Sequence, residues 1–178
     1  MPKVSQEHLD ARRRQIVDAA RIRFASHGFA RTSMTDLVEA SGLSIGAIYR
    51  YFSSKDEIVT AICEQSSNVL PTELTGEAVH DMLERIRTMA RDHGHARLIA
   101  QIYAEAAISP ELATVVEHQL AGLRSAVAAL LADRTAADAA RIAEAFVAMC
   151  NGYNLQLAVR GDLDPAPFSE ALTAMIQR

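Results

Sequence analysis

The stretch SGLSIGAIYRYFSSKDE, residues 41–57, decides the fold of the front of this chain. Three of the four positions 49–52 are aromatic, namely Tyr49, Tyr51 and Phe52, although the whole chain has only four tyrosines, five phenylalanines and no tryptophan. Two glycines, Gly42 and Gly46, come shortly before them. Because the chain has so few aromatic residues, three of them within four positions indicate that this segment has a role of its own.

A long amphipathic helix is predicted before this stretch, over about residues 7–26. Ile16, Ala20 and Phe24 recur at every fourth position, which places them on one face of an α-helix. Gly28 stands where such a helix ends, since glycine adopts a left-handed backbone easily.

Three short helices are predicted to follow, each opening at a serine whose hydroxyl can cap the first turn. Gly42 ends the first of them after two turns, and the second runs through Tyr51. In the first and third, an acidic residue three positions later can complete a capping box. The capping serines are Ser33, Ser44 and Ser54, and the acidic residues are Asp36 and Glu57.

A short helix, a turn with glycine and a second short helix are typical of a helix-turn-helix, whose second helix enters the major groove of DNA. Leu37, Leu43 and Ile48 fall where the two helices would bury their facing sides. A helical hairpin with a glycine turn also occurs in other all-α proteins, so the pattern alone leaves both interpretations open. The outward face of the second helix would carry Ile45, Ala47, Tyr49 and Arg50.

The charge is divided unevenly along the chain. Residues 1–55 hold nine Lys or Arg against five Asp or Glu, whereas the remainder holds nine against seventeen. A basic front on an acidic body suggests that the front meets a polyanion, since phosphate neutralisation is the sequence-independent part of nucleic-acid affinity. On charge alone, a solvated helix face remains an alternative.

The segment GFARTSMTDLVEASGLSIGAIYRYFSSKDEIVTAI, residues 28–62, resembles the DNA-binding domain of TetR-family transcriptional regulators. The matching elements are Gly-Phe, Thr-Ser, Ala-x-Gly-Leu-Ser, Gly-x-Ile-Tyr, Tyr-Phe and Ser-Lys-x-Glu, in that order and without gaps. The upstream stretch RRRQIVDAARIRFASHG is similar to the first helix of that family. The resemblance covers about a third of the chain.

This resemblance implies an all-α fold, with an N-terminal head of three to four helices and a C-terminal bundle of about five. Residues 7–68 would be the DNA-binding domain, with the helix-turn-helix at 33–52, and residues 69–178 the ligand-binding and dimerisation domain. The implied function is that of a homodimeric repressor on a pseudo-palindromic operator in double-stranded DNA, released by a small, largely apolar ligand of unknown identity.

The expected DNA-binding residues divide into those that position the protein on phosphates and those that reach bases. Tyr49, Tyr51 and Lys55 offer donors to phosphates, and Gly46 permits close approach of the backbone. Arg50 is expected to read a guanine edge or to bind phosphate. The full set is Ser33, Thr35, Ser44, Ile45, Gly46, Ala47, Tyr49, Arg50, Tyr51 and Lys55. A basic run, Arg12, Arg13 and Arg14, either tracks the DNA backbone or forms an exposed helix face.

The body, beyond about residue 68, is alanine-rich and acidic. Soft or amphipathic side chains within its helices suit an adaptable cavity, although a methionine stripe is more often core. The expected pocket residues are Met82, Met89, Tyr103, Phe146, Met149, Tyr153 and Asn154.

The last two helices of the body are expected to form a two-fold interface, because apolar residues fill more than one face of the penultimate helix. Simple core burial is the alternative. The expected interface residues are Phe146, Val147, Leu157, Phe168, Leu172 and Met175.

Several classes of protein are disfavoured by what the sequence lacks. There is no signal-like apolar segment and no run long enough to span a membrane, so a cytoplasmic protein without a membrane partner is expected. No zinc-like spacing of His or Cys occurs, so we expect neither metal nor cofactor, and Cys63 and Cys150 are expected to be buried, reduced thiols. No enzymatic motif is present, so an enzyme is disfavoured. A helical carrier that binds small molecules without DNA remains a third class.

Overall fold

The computed structural model describes residues 5–66 and 70–177, and within them the chain is built only of helices. Four helices form the head and five form the body, as predicted. They are α1 Gln6–His27, α2 Met34–Ser41, α3 Ile45–Tyr49, α4 Lys55–Ser66, α5 Gly76–His93, α6 His95–Ala106, α7 Pro110–Ala129, α8 Ala136–Arg160 and α9 Ala166–Gln177. The predicted domain boundary between residues 68 and 69 lies outside the described residues.

The boundaries of the head helices follow from caps and glycines. Ser33 and Asp36 form a complete capping box at α2, and Gly42 ends that helix with a left-handed backbone at φ 67°. The hydroxyl of Ser44 accepts from the backbone N–H of Ala47 at the start of α3. The helix-turn-helix is therefore defined by local hydrogen bonds that the sequence already indicates.

Two details of the head differ from the prediction. Helix α3 ends at Tyr49, earlier than Tyr51, because the chain continues in a turn in which the Tyr51 N–H bonds the Ile48 carbonyl. At α4, Ser54 caps the Glu57 N–H as predicted, but the Glu57 carboxylate reaches back to the N–H and hydroxyl of Ser53 instead of Ser54. These hydrogen bonds lower the pKa of Glu57.

The core of the head extends into the body. Ile16, Phe24, Leu37 and Ile48 are fully buried in one cluster. The same cluster contains Leu98 and Ile102 of α6 and Leu112 and Val116 of α7. Helices α6 and α7 therefore form the floor on which the head is packed.

The second core fills the body and is centred on α8. This helix packs against α5, α6, α7 and α9, and its inward side buries Ala143, Phe146 and Tyr153 completely or nearly so. A bidentate ion pair joins α5 to the segment after α8, with Arg87 Nε 2.5 Å and Nη2 2.7 Å from the carboxylate oxygens of Asp162. These hydrogen bonds lower the pKa of Asp162 to about 2.

Candidate DNA-binding surface and ligand cavity

The helix-turn-helix buries one side and exposes the other. Leu37 and Ile48 are completely buried and Phe52 nearly so, whereas the side chains of Ile45 and Tyr49 are 57% and 50% exposed. Arg50 is also exposed, next to Tyr49. Helix α3 thus exposes the large aliphatic side chain of Ile45 while its opposite face is buried. Such an exposed apolar side chain is suited to contact with another molecule.

The start of α2 is held by a small polar network. The Asp36 carboxylate accepts from the N–H and the hydroxyl of Ser33, each at 2.7 Å, and from Arg23 Nη2 at 3.2 Å. The hydrogen bond from the Ser33 hydroxyl is the main reason that the pKa of Asp36 is lowered. Thr35 is exposed beside this cap. The network fixes the first turn of α2, which the proposed phosphate contacts of Ser33 and Thr35 would use.

Lys55 has a structural contact that the sequence did not reveal. Its Nζ donates to the Phe29 carbonyl at 2.9 Å and lies 4.4 Å from the centre of the Phe29 ring. The Phe29 N–H in turn donates to Gln101 Oε1 of α6 at 3.1 Å. An ammonium has three donors, so a phosphate contact by Lys55 is compatible with this bond. The lysine therefore joins α4, the α1–α2 turn and, through Phe29, helix α6.

The basic run on α1 serves more than one purpose. Arg13 pairs with Glu64 at 3.1 Å and lies over the Phe52 ring, so it braces α1 against α4. Arg12 donates to Gln15 at 2.8 Å, and Arg14 is exposed. Arg12 and Arg13 therefore have partners within the chain, whereas Arg14 occupies an exposed position of α1.

A cavity of about 110 Å³ lies where the head meets the body. Four of the seven predicted pocket residues line it, namely Met82, Tyr103, Phe146 and Asn154. The other lining residues are Cys63, Leu70, Ile86, His95, Ile99, Ile102, Val116, Gln119, Leu123, Val147, Cys150 and Asn151. Cys63 comes from α4, which also carries Lys55. The cavity therefore contacts the same helix that begins at the DNA-binding surface.

Three predicted pocket residues lie elsewhere. Tyr153 is fully buried in the body core, where its hydroxyl donates to the Leu163 carbonyl at 2.9 Å and its ring packs on Phe168. Met149 packs against the same core, and Met89 is half-buried; neither lines the cavity. Conversely, Cys63, His95 and Gln119 line it although their sequence context gives no signal, because three different helices bring them together.

The comparison with known proteins adds a decisive observation. Residues 16–62 match the family described as bacterial regulatory proteins of the tetR family, and residues 70–178 match the tetracyclin repressor-like C-terminal domain. The chain belongs to the TetR family. This is a family of regulatory proteins and not of enzymes, in agreement with the absence of enzymatic motifs from the sequence.

Curated TetR-family relatives are similar in the head. A transcriptional repressor of Mycobacterium tuberculosis is 45% identical over 67 residues, which cover 38% of this chain and 36% of the relative. The uncharacterised regulator YfiR of Bacillus subtilis is 48% identical over 63 residues, which cover 35% of this chain and 31% of the relative. The matched stretch thus spans about a third of the length of these curated relatives.

Solved structures extend the likeness of the fold to the whole chain. GusR of Salmonella enterica is 24% identical, with a TM-score of 0.74 and coverage of 99% of this chain and 97% of the other. The multidrug binding protein EbrR, solved in complex with imidazole, is 23% identical, with a TM-score of 0.67 and coverage of 98% and 96%. At these identities the likeness concerns the TetR fold alone.

The structure places most of the predicted interface residues of this TetR-family chain in the core of their own chain. Phe146, Val147, Leu157 and Leu172 are buried in the core of their own chain, so they have no surface to offer a partner. Phe168 and Met175 are half-buried against the same core. The exposed side of α8 instead carries a stripe at helical spacing, formed by Ala145, Ala148, Gly152, Leu155 and Val159.

The stripe on α8 continues onto α9. Leu155 is 52% and Val159 78% exposed, and a groove of about 570 Å³ between the two helices is lined in part by Ala171, Ala174 and Met175. Small residues allow a second helix to approach closely. The outer face of α8 and α9 thus exposes apolar side chains, whereas the inward residues are covered by their own chain.

Two properties of the described residues concern a membrane and a metal ion. Among residues 5–66 and 70–177, no helix has both the length and the apolar character needed to cross a membrane. Over the same ranges, no three His, Cys, Asp or Glu side chains are grouped in a way that could hold a metal ion.

Proposed function

We propose that this TetR-family chain is a homodimeric, sequence-specific DNA-binding repressor that a small, largely apolar ligand releases from its operator. Residues 7–68 act as the DNA-binding domain, and residues 69–178 bind ligand and dimerise. Because it acts on DNA, we expect the protein to work in the cytoplasm. The observation that carries the proposal is the exposed face of α3, with Ile45, Tyr49 and Arg50 above a fully buried helix-turn-helix core.

Binding to DNA is expected to use two kinds of contact. The N-terminal turns of α2 and α4, with Ser33, Thr35 and Lys55, position the head on phosphates, where N–H groups and a cation meet the negative charge. Arg50 reads a guanine edge or binds phosphate beside it, while Ile45 and Ala47 meet thymine methyl groups. Tyr49 and Tyr51 supply hydroxyl donors to phosphates, Tyr49 from an exposed position and Tyr51 from one partly buried against the head core.

Dimerisation follows from the geometry of the operator. Two recognition helices must lie about 34 to 36 Å apart to enter successive major grooves on one face of the duplex. A two-fold pairing of the stripe on α8 with its copy, flanked by α9, covers Leu155 and Val159 and supplies the symmetry that a pseudo-palindrome requires.

Release of DNA is expected to pass through the end of α4. Cys63 of α4 lines the cavity, and its carbonyl accepts from Nε2 of Gln119, another lining residue, at 3.0 Å. The neighbouring Ile62 carbonyl accepts from Arg21 of α1 at 3.1 Å. A ligand that displaces Cys63 or Gln119 therefore tilts α4 and α1 together. A coupling of about 1 to 3 kcal/mol gives a 5- to 150-fold loss of operator affinity.

The test of DNA binding is fluorescence anisotropy with labelled DNA taken from beside the gene and with scrambled DNA of equal length, at several salt concentrations. The wild type should prefer the native fragment and show a steep salt dependence. Arg50→Ala should lower affinity for the native fragment about 5- to 150-fold while leaving scrambled DNA nearly unaffected. Arg91→Ala, an exposed arginine of α5, is the matched control and should behave like wild type.

The competing function is that of a helical carrier without DNA binding. Equal, weak binding of both DNAs by wild type and Arg50→Ala would support the carrier and contradict the proposal.

The release step has its own test, because spin labels on the two heads report the distance between them. An effector that frees the DNA without changing that separation contradicts the tilting of α4.

A further inference from the structure

The cavity at the head–body junction is lined by uncharged groups. Among the described residues that line it there is no Lys, Arg, Asp or Glu. Burial raises the pKa of Cys63 to about 11 and that of Cys150 to about 12, so both thiols are protonated at neutral pH. Burial also raises the pKa of Tyr103 to about 12.

His95 also lines the cavity, and its ring approaches a cation. Its Nδ1 lies 3.4 Å from Nη1 of Arg21, which is behind the wall and not part of the lining. A guanidinium can only donate, so a hydrogen bond at this position requires Nδ1 of His95 to accept. A charged ligand would lose its hydration in this cavity, and no Lys, Arg, Asp or Glu among the described lining residues could pair with it directly, which is unfavourable.

The lining has an apolar part and a polar part. Nine apolar side chains line the cavity, among them Leu70, Met82, Ile86, Leu123, Phe146 and Val147. At the polar part, Asn151 and Asn154 lie one turn apart on α8, and the Asn151 side chain hydrogen-bonds the Tyr103 hydroxyl. A volume of about 110 Å³ is similar to that of a cavity known to hold one benzene ring, which is about 150 Å³.

Asn154 has an unmet hydrogen bond. It is only 9% exposed, and its Oδ1 is buried with no hydrogen-bond partner in the described parts of the chain. Its Nδ2 makes one long bond, 3.4 Å to the Cys150 carbonyl one turn earlier. Because that bond is long, the amide can turn toward a donor in the cavity at little cost. A buried acceptor without a donor is unusual and calls for a partner.

We propose that the cavity takes an uncharged molecule of about one aromatic ring, with an apolar body and a single O–H or N–H group that donates to Oδ1 of Asn154. This inference rests on the proposed function, in which the cavity is the effector site. It adds the chemical class of the effector and names Asn154 as the residue that selects for a donor.

Isothermal calorimetry on the full chain without DNA tests the class with four probes of similar size: phenol, toluene, anisole and benzoate. Phenol should bind roughly tenfold more tightly than toluene and anisole, because only phenol can donate to Asn154. Benzoate should bind at least about a hundredfold more weakly than phenol, because its charge is not compensated. Equal binding of phenol and anisole, tight binding of benzoate, or binding of none of the probes would overturn the inference.

A pair of variants assigns the preference to one residue. Asn154→Leu keeps the shape of the side chain but removes the acceptor, so phenol and toluene should then bind with affinities within about twofold of each other. Met149→Leu, on the same helix but outside the cavity, should keep the wild-type preference. A retained preference for phenol in Asn154→Leu would contradict the role of Asn154. Thermal melts confirm that both variants are folded.

The inference and the proposed function can fail separately. If phenol binds with the expected preference but does not release specifically bound DNA in the anisotropy assay, the ligand class stands and the release mechanism fails. If the operator is bound specifically but no probe binds, the ligand class fails and the DNA-binding function stands.

Discussion

Helices α3 and α8 lie in different parts of the molecule, yet each has an interior glycine that the chain itself does not require. Gly46 on α3 and Gly152 on α8 are exposed, and a Cβ added to either would meet no atom within 4 Å. Glycine inside a helix is less favourable than alanine by about 1 kcal/mol. Taken with the exposed apolar residues beside each glycine, this favours a partner outside the chain, which under the proposed function is DNA at α3 and a second copy at α8.

The two helices differ in what surrounds the glycine. On α3 the neighbours are Ile45, Tyr49 and Arg50, a mixture suited to bases and phosphates. On α8 the neighbours are alanines with Leu155 and Val159, which suit another apolar helix. The difference teaches that the chemistry around an exposed glycine, more than the glycine itself, indicates the kind of partner.

The strongest test of the α8 side is a double substitution, Leu155→Asp with Val159→Asp. Two carboxylates at the centre of an apolar contact should separate the subunits. A key residue at the centre of an interface contributes about 2 kcal/mol or more to the free energy of binding, which is roughly thirtyfold in dimer affinity. Light scattering should show a monomer, and operator affinity should fall at least about thirtyfold.

Its control is Ile108→Asp between α6 and α7, because Ile108 is as exposed as Val159, at 78%, but is not part of the stripe on α8. This variant should remain dimeric. A dimer that survives the double substitution but is lost in Ile108→Asp would move the interface to another face.

The α3 side is tested by Gly46→Ala. The new methyl group should hold the backbone away from DNA and lower operator affinity by about tenfold, or about 1.4 kcal/mol. Because alanine favours helix, the free energy of unfolding should stay the same or rise by up to about 1 kcal/mol. Anisotropy and chemical denaturation measure the two quantities. An unchanged operator affinity would show that α3 does not approach DNA closely at Gly46.

The corresponding change on α8 is Gly152→Ala, with an expected effect on dimerisation of a few-fold. The methyl group should stabilise α8 by up to about 1 kcal/mol yet weaken the two-fold contact, which sedimentation at several concentrations detects. Gly122→Ala on α7 is the control, since Gly122 is also an exposed glycine with open space around it. That variant should gain stability without a change in dimerisation. If Gly152→Ala and Gly122→Ala had the same effect on dimerisation, Gly152 would not be part of the two-fold contact.

The smallest effect is expected at the end of α8, where Asp162 pairs with Arg87. The folded-state pKa of Asp162, about 2, lies below its value in an unfolded chain, so the pair stabilises the fold above about pH 4. This contribution is lost as the pH falls from about 4 to 2. Asp162→Asn should lower the Tm slightly at pH 7 and flatten the pH dependence in that range.

Melting curves between pH 2 and pH 7 measure this effect. Asp162→Asn should lower the stability of the fold but leave the dimer intact. The variant therefore distinguishes a loss of stability near α8 from a loss of the two-fold contact. If the Tm of Asp162→Asn depended on pH as the wild-type Tm does, the pair of Arg87 and Asp162 would contribute nothing to stability between pH 2 and pH 4.

The head could be predicted from the sequence in detail because its turns are set by local interactions. Ser33 bonds Asp36 within three residues, and Gly42 alone allows the left-handed turn, so neither depends on distant packing. In the body, Phe146 and Leu157 share α8 with exposed alanines, and apolar residues on several faces do not reveal which face points inward. The sequence also could not predict that His95 lines the cavity, because this depends on the packing of α6 against α1 and α8.

The floor beneath the head has a consequence for how such proteins can be recombined. Leu98 and Ile102 of α6, with Leu112 and Val116 of α7, are buried by head residues, and Gln101 holds the Phe29 backbone. A head grafted onto a foreign body would need a matching floor, or these apolar side chains would be left open to water. Chimeras that exchange effector response while keeping operator choice should therefore join the parents along this packed surface, and not simply between α4 and α5.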